Sequence, residues 1–193
     1  MNSFFKSVFT ITIITVLAGI MLALSYSFTK DKIAYQERQE ILNAFKSILP
    51  YHNNEPDKDY EIINNQKIFI AKDNGTITGY AVNVINTQGY GGAVSILTGT
   101  DSKGAVSGVA VIYHSETPGL GDKITSKSFL DLFKGFTVND KIAVKKDGGT
   151  IEQFSGATIS PRAVAAGVKD SLKVINSAIG KWYDKKYYNK WFI

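Results

Sequence analysis

From Val8 to Phe28 the chain runs through 21 positions without a charge (VFTITIITVLAGIMLALSYSF). At the α-helical rise such a run spans about 30 Å, the thickness of a bilayer's hydrocarbon core. Thr10, Thr12 and Thr15 can bond back to their own helix carbonyls, and Tyr26 and Phe28 stand where interfacial aromatics belong. A cleaved signal peptide is the rival reading, with Ala23-x-Ser25 as its cleavage site. The run is long for that, and helical sequence follows directly, so an anchor is expected. Lys30 to Leu49 continues as a helix that places Ile33, Ile41, Leu42, Phe45, Ile48 and Leu49 near one face, and Pro50 ends it. After a polar connector (Tyr51 to Asp59) the period changes to two. Tyr60–Ala71 and Thr76–Ile85 form a hairpin about Asn74-Gly75, and Ala93–Thr98 and Ala105–Tyr113 a second about Asp101–Gly104. Ser126 to Phe133 reads as a short helix capped by Ser126 and closed by Gly135. Ile142 to Lys146 reads as a short strand. From Ser160 to about Tyr183 the helical period returns in Val164, Val168, Leu172, Ile175 and Ile179. The expected fold class is α+β: an N-terminal transmembrane helix, then one domain with an antiparallel sheet and flanking helices.

Those elements divide the chain into a short cytoplasmic tail (1–7), the anchor (8–28), a juxtamembrane helix and connector (29–59), the main domain (60–180) and a basic, aromatic C-terminal tail (181–193). Composition changes this picture in three ways. The chain has 193 residues and a net charge of +5, and its 17 acidic residues all follow the apolar segment. The basic residues form no stripe interleaved with aromatics, so nucleic acid is not expected as a partner; a membrane surface or an acidic protein suits the excess better. With no cysteine and two histidines, the chain offers no ligand set for iron–sulfur, c-type haem or the usual zinc site, so any redox chemistry falls to an organic cofactor.

Two loops carry candidate chemistry. In Ser155-Gly156-Ala157-Thr158-Ile159-Ser160-Pro161-Arg162, Ser160 reads as an N-cap and Pro161 as the first helical residue. Thr158 then lies just before a helix N-terminus, where free amides and the dipole favour an anion such as phosphate. In His114-Ser115-Glu116-Thr117-Pro118-Gly119-Leu120-Gly121-Asp122-Lys123, Thr-Pro-Gly favours a type II turn. Gly119 and Gly121 would expose amides, and Leu120 would project as an apolar contact for a flat heterocycle. On spacing alone each reads as an ordinary turn. Lys123, Lys145 and Lys146 are candidates to stabilise a reduced anionic ring or to lie as solvated surface charges, and His114 reads as a structural hydrogen-bonder. The mixed lysines and aromatics of the tail suit lipid headgroups, a neighbouring subunit or their own domain.

Taken together, GYGG at Gly89–Gly92, HSETPGLGDKI at His114–Ile124, AVKKDGG at Ala143–Gly149 and QFSGATISPRAV at Gln153–Val164 closely resemble one family in order and wording. This is the FMN-binding G subunit of the Rnf-type electron transport complex, related to the C subunit of the sodium-translocating NADH:quinone reductase. The resemblance implies FMN joined by a phosphoester bond to Thr158, Ser155, Gly156 and Ala157 around the phosphate, and Glu116, Thr117, Gly119, Leu120 and Gly121 at the isoalloxazine ring. It implies a flavin transferase during maturation, and partners among the other membrane subunits of the complex. It also implies a single-pass protein of the bacterial inner membrane with its main domain on the periplasmic side. The chain would be a non-autonomous translocase subunit that relays electrons, with no catalytic or metal-binding residues of its own. The transferase motif usually carries Asp where this chain has Glu152.

Overall fold

The computed structural model describes the backbone of residues 3–188 and the side chains of residues 3–180 other than Glu37. The chain divides into two compact units, Met1–Ile41 and Leu42–Ile193. In the first, the apolar run forms the opening of a helix α1 that continues to its end at Ile48 (Ser3–Ile48). Its Thr10, Thr12 and Thr15 hydroxyls donate to the carbonyls four residues earlier at 2.8–2.9 Å, so all three threonines are satisfied within the helix. The large apolar side chains from Phe4 to Phe28 are exposed, and α1 is long and apolar enough to cross a membrane.

In the second unit five strands form an antiparallel meander in chain order: β1 (Tyr60–Ile63), β2 (Gln66–Asp73), β3 (Thr76–Asn86), β4 (Val94–Asp101) and β5 (Val106–Tyr113). The expected hairpin at Asn74-Gly75 is present, with φ of 47° and 81° as a type I′ turn requires. The expected single strand from Tyr60 to Ala71 is instead β1 and β2 joined at Asn64-Asn65. Both asparagines hold positive φ, 51° and 64°, a conformation asparagine tolerates better than other residues with a Cβ. The expected strand over Ile142–Lys146 is also corrected. Val144 makes a single bridge to Ile151, and a 3-10 turn follows over Lys145–Asp147. Ile142 and Val144 alternate like a strand because both are buried in the core.

Two helices cover the sheet. α3 (Ile159–Tyr188) lays Val164, Val168, Leu172, Ile175 and Ala178 into the core, and Gly167 gives room to the Ile96 side chain of β4. The side chains of residues 181–193, the basic aromatic tail, lie outside those described. The last turn of α1 covers the other face. Phe45 packs edge-on against Phe69 of β2 at 4.9 Å between ring centroids. Ile48 rests where Gly99 and Gly108 pair across β4 and β5; a Cβ on Gly108 would stand 2.7 Å from the Ile48 backbone. The Ser107 hydroxyl donates to the Ile48 carbonyl, which ties the helix end to the sheet. Between β5 and α3 the chain forms a 3-10 turn at Gly121–Thr125, a short helix α2 (Lys127–Leu130) and a second 3-10 turn at Asp131–Phe133. Ser126 precedes α2 but its side chain makes no capping bond to it; its hydroxyl donates back to the Lys123 carbonyl at 2.7 Å. Ile124, Phe129 and Phe133 point inward and join the core beneath α3. This buried triad fixes the floor under the loops described next.

Candidate flavin site

The Thr117-Pro118-Gly119-Leu120 segment is the type II turn its residues favour: Gly119 has φ 77°, and the Leu120 N–H donates to the Thr117 carbonyl at 3.2 Å. The Gly121 N–H donates to the same carbonyl at 3.1 Å. The expectation that Gly121 presents a free amide is therefore wrong; the amide closes the turn. What Gly121 contributes is the lack of a side chain, because a Cβ would stand 2.6 Å from both Glu116 Oε2 and Ser160 Oγ. Gly89 plays the same part from the GYGG block, where a Cβ would stand 2.6 Å from Glu116 Oε1, and a Cβ on Gly91 would overlap the Ser115 carbonyl. Two glycine-rich blocks separated by more than twenty residues in sequence are thus pressed together, backbone on backbone. The His114 ring accepts the Glu116 N–H at 3.2 Å on Nδ1, the structural role expected of it.

The start of α3 differs from the expectation by two residues. The first intrahelical donor is the Arg162 N–H, bound to the Thr158 carbonyl at 3.2 Å. Thr158 is therefore the capping residue, Ile159 and Ser160 lie in the first turn, and Pro161 falls where its missing N–H loses no bond. The Ser160 hydroxyl does not cap the helix. It is 1% exposed and donates to Glu116 Oε2 at 2.7 Å. The Ser160 hydroxyl is thus spent on Glu116, and the Ile159 and Ser160 amides lie ahead of the helical ladder.

A cavity of about 270 Å³ lies between these two walls. One wall is Glu116, Thr117, Leu120 and Gly121; the other is Gly156, Ala157, Thr158, Ile159 and Ser160; Tyr90 of the GYGG block completes the lining. Seven of the nine residues singled out from the sequence line it, and the two loops that carry them face each other across it. Ser155 and Gly119 do not line it; both are exposed. Tyr90, Ile159 and Ser160 are lining residues that the sequence did not single out as such. Tyr90 stands inside a quoted block between glycines, where a 70% exposed aromatic is a signal for a stacking surface. Lys123, Lys145 and Lys146 are absent from the lining.

The chemistry of the lining suits a phosphorylated heterocycle. Thr158 is half-buried at the cavity, and its hydroxyl is engaged by no other described residue. Gly156 sits beside it at φ 77° with open space where a Cβ would be, and the free amides of the α3 start favour a phosphate. Leu120, Tyr90 and Ile159 offer exposed apolar surface for a ring. The volume is at the small end for organic ligands, so a flavin would be held in part and would keep an edge in solvent. Among the described residues, Glu116 Oε1 is buried without a hydrogen-bond partner, although the residue is only 6% exposed. Such an oxygen costs about 1–3 kcal/mol.

Outside the cavity two ion pairs brace the segment that leads to Thr158. Arg162 Nε and Nη2 donate to the two oxygens of Asp147 at 2.6 and 2.8 Å. Lys145 Nζ donates to Glu152 Oε1 at 2.6 Å. The hydrogen bond from Arg162, and then its charge, holds the Asp147 carboxyl below the usual carboxylate range; the Lys145 hydrogen bond does the same for Glu152. Both pairs are exposed and serve geometry more than stability. Lys145 is thus occupied with Glu152.

A model of the FMN-binding domain matches residues 89–173, the span that runs from the GYGG block through both cavity walls. The chain therefore carries an FMN-binding domain. It is 40% identical over 184 residues to the G subunit of the ion-translocating oxidoreductase complex of Aliivibrio fischeri (strain MJ11), covering 86% of this chain and 88% of that one. It is 41% identical over 179 residues to the protein of the same name from Haemophilus influenzae (strain PittEE), covering 84% and 85%. This chain belongs to the family of G subunits of ion-translocating oxidoreductase complexes. Among solved structures, the C subunit of the Na+-translocating NADH-quinone reductase from Parabacteroides distasonis matches at a TM-score of 0.43 and 18% identity, over 74% of this chain and 80% of that one.

Proposed function

We propose that this chain is the electron-carrying flavoprotein subunit of a membrane-bound ion-translocating oxidoreductase complex, with FMN joined to Thr158 by a phosphoester bond. The observation that carries the reading is the unengaged Thr158 hydroxyl in the lining of a cavity whose other residues suit a phosphate and an apolar ring. In attachment, Thr158 Oγ1 forms a bond to the flavin-side phosphorus of FAD, and the pyrophosphate P–O bond breaks. AMP leaves and the hydroxyl proton passes to solvent. The balance needs FAD and a flavin transferase, and neither a redox step nor a residue of this chain as base. When bound, FMN supplies one- and two-electron chemistry. Thr158 tethers it, the Glu116–Gly121 turn and Tyr90 hold the ring, and the shallow cavity leaves it open to redox partners. Ser155 stands at the outer edge of the phosphate site and Gly119 supplies the turn rather than a contact. The chain has no catalytic centre of its own and works with the other membrane subunits.

The complete chain, purified from membranes that also contain its partner subunits and a flavin transferase, is expected to be yellow and to bring multi-span membrane proteins with it. Its flavin should be bleached by the complex's electron donor and restored by its acceptor. A colourless chain, or a yellow one that purifies alone from such membranes, contradicts the reading.

The same reading puts α1 across the inner membrane once and the domain in the periplasm, where a tethered cofactor cannot diffuse away. The chain has no cysteine of its own, so a single introduced one reports its side without ambiguity. Ser102→Cys, exposed in the β4–β5 turn, is expected to react with a membrane-impermeant maleimide in cells with a permeabilised outer membrane. Labelling only after the inner membrane is broken would place the domain in the cytoplasm.

A further inference from the structure

The two cavity walls come from segments far apart in the chain, and one side-chain hydrogen bond joins them: Ser160 Oγ to Glu116 Oε2 at 2.7 Å, both residues buried. Every position around that bond is shaped for it. Gly121 leaves no Cβ in the way of either partner, and Gly89 leaves none in the way of the other carboxylate oxygen. Ser160, in the first turn of α3, spends its hydroxyl on this bond, and Glu116 accepts it while its Oε1 stays buried and unpartnered. A packing contact of two apolar side chains would close the same gap without stranding an oxygen, so stability alone does not call for this pair.

We infer that the Ser160–Glu116 pair is a latch that positions the flavin: it sets the ring-holding turn against the start of α3, two residues from the tether at Thr158, and so fixes the ring in one orientation. The inference rests on the reading of the cavity as an FMN site. Glu116 then acts mainly through Ser160, as a positioning residue, and the ring-holding contacts fall to Thr117, Leu120 and Tyr90. A tether through the phosphate leaves many bonds free to rotate between Thr158 and the ring, so attachment by itself orders nothing beyond the phosphate. With the latch closed, both walls face the ring at a fixed spacing. With it open, the cofactor stays attached and the ring becomes mobile.

The test compares the full-length wild type with Ser160→Ala, Glu116→Met, the double variant and Glu116→Gln, each produced with the flavin transferase. Covalent FMN per chain, flavin fluorescence anisotropy, visible circular dichroism of the flavin and thermal midpoint are measured for each. The inference predicts full flavin loading in S160A and E116M, with anisotropy lowered by roughly half and the dichroism lost as the ring gains rotational freedom. The double variant should be no worse than either single one, as for two halves of one interaction. E116Q keeps an acceptor for the serine and should keep the wild-type anisotropy. Thermal midpoints should not follow the anisotropy; the apolar pair in the double variant should melt at or above the wild type.

Wild-type anisotropy and dichroism in S160A would overturn the latch. So would an E116Q as disordered as E116M, which would make the charge and not the hydrogen bond the active property. Loss of ring order only in proportion to loss of thermal stability would also overturn it. Absence of covalent FMN from the wild type would be a failure of the tether instead. The same anisotropy comparison, made with free FMN titrated into each variant, then decides the latch separately.

Discussion

Thr158→Ala is expected to remove covalent FMN completely while leaving the domain folded. Thr158 is half-buried at the cavity, and its side chain makes no hydrogen bond to another described residue. Its structural contribution is its carbonyl, which accepts the Arg162 N–H at 3.2 Å and survives the substitution. The folding cost is therefore small, on the order of the 0.5–2 kcal/mol typical of a lost helix cap, and less here because the hydroxyl caps nothing. The chemical effect is all or none, since Ser160, the lining hydroxyl closest to Thr158 in sequence, is buried and committed to Glu116. On a denaturing gel under ultraviolet light the wild type should fluoresce and the variant should be dark, with equal protein and equal thermal midpoints. Thr158→Ser separates chemistry from packing, because it keeps an oxygen and should retain part of the fluorescence.

Phe133→Ala should have the largest effect on stability. Phe133 is fully buried, meets Phe129 edge-on at 5.4 Å between ring centroids, and shares its core with Ile124, Val164 and Val168. Truncating a buried phenylalanine costs about 3–5 kcal/mol, lost transfer energy plus an unfilled cavity. A domain with a stability of about 5–15 kcal/mol cannot lose that without consequence. The urea midpoint should fall with little change in slope. The same residue supports the floor under the 114–125 loop, so covalent FMN in the variant should be disordered at temperatures well below unfolding. A Phe133→Leu variant should recover most of the midpoint by refilling the space. A midpoint unchanged in Phe133→Ala would mean that the core beneath α3 is not closed as described.

Much of the fold can be read from the sequence because it is set by local pattern. The uncharged run and the apolar face ending at Phe45 and Ile48 announce α1. Asn74-Gly75 announces a tight hairpin, and Val164, Val168, Leu172 and Ile175 announce the buried face of α3. The misreadings fall where tertiary contacts override local signals. Asn64-Asn65 splits a strand without a glycine, because asparagine alone supplies the left-handed turn. Ile142 and Val144 alternate for burial and not for pairing, so the pattern suggests a strand where the chain makes one bridge. Ser160-Pro161 has the form of a helix cap, yet the hydroxyl is drawn off by a carboxylate 44 positions away in sequence. No local pattern contains that information.

The site follows the same division. The motif blocks bring Glu116, Thr117, Leu120, Gly121, Gly156, Ala157 and Thr158 together around one cavity. The glycines of those blocks have a different purpose from the one their spacing suggests. Gly89, Gly91 and Gly121 are there less to offer amides than to let backbones and one carboxylate pack without side chains between them. Charge is the least legible property. Lys123, Lys145 and Lys146, open between a place near the ring and a solvated surface, are absent from the lining, and Lys145 pairs with Glu152.

The bond to Thr158 is the central claim, and trypsin places that residue in the peptide Asp147–Arg162, which also contains Thr150, Ser155 and Ser160. Mass spectrometry of this peptide, from chain produced with its transferase, should give a mass increased by FMN less one water, with fragment ions that place the whole increment on Thr158. An unmodified peptide, or an increment on Thr150, Ser155 or Ser160, would contradict that claim.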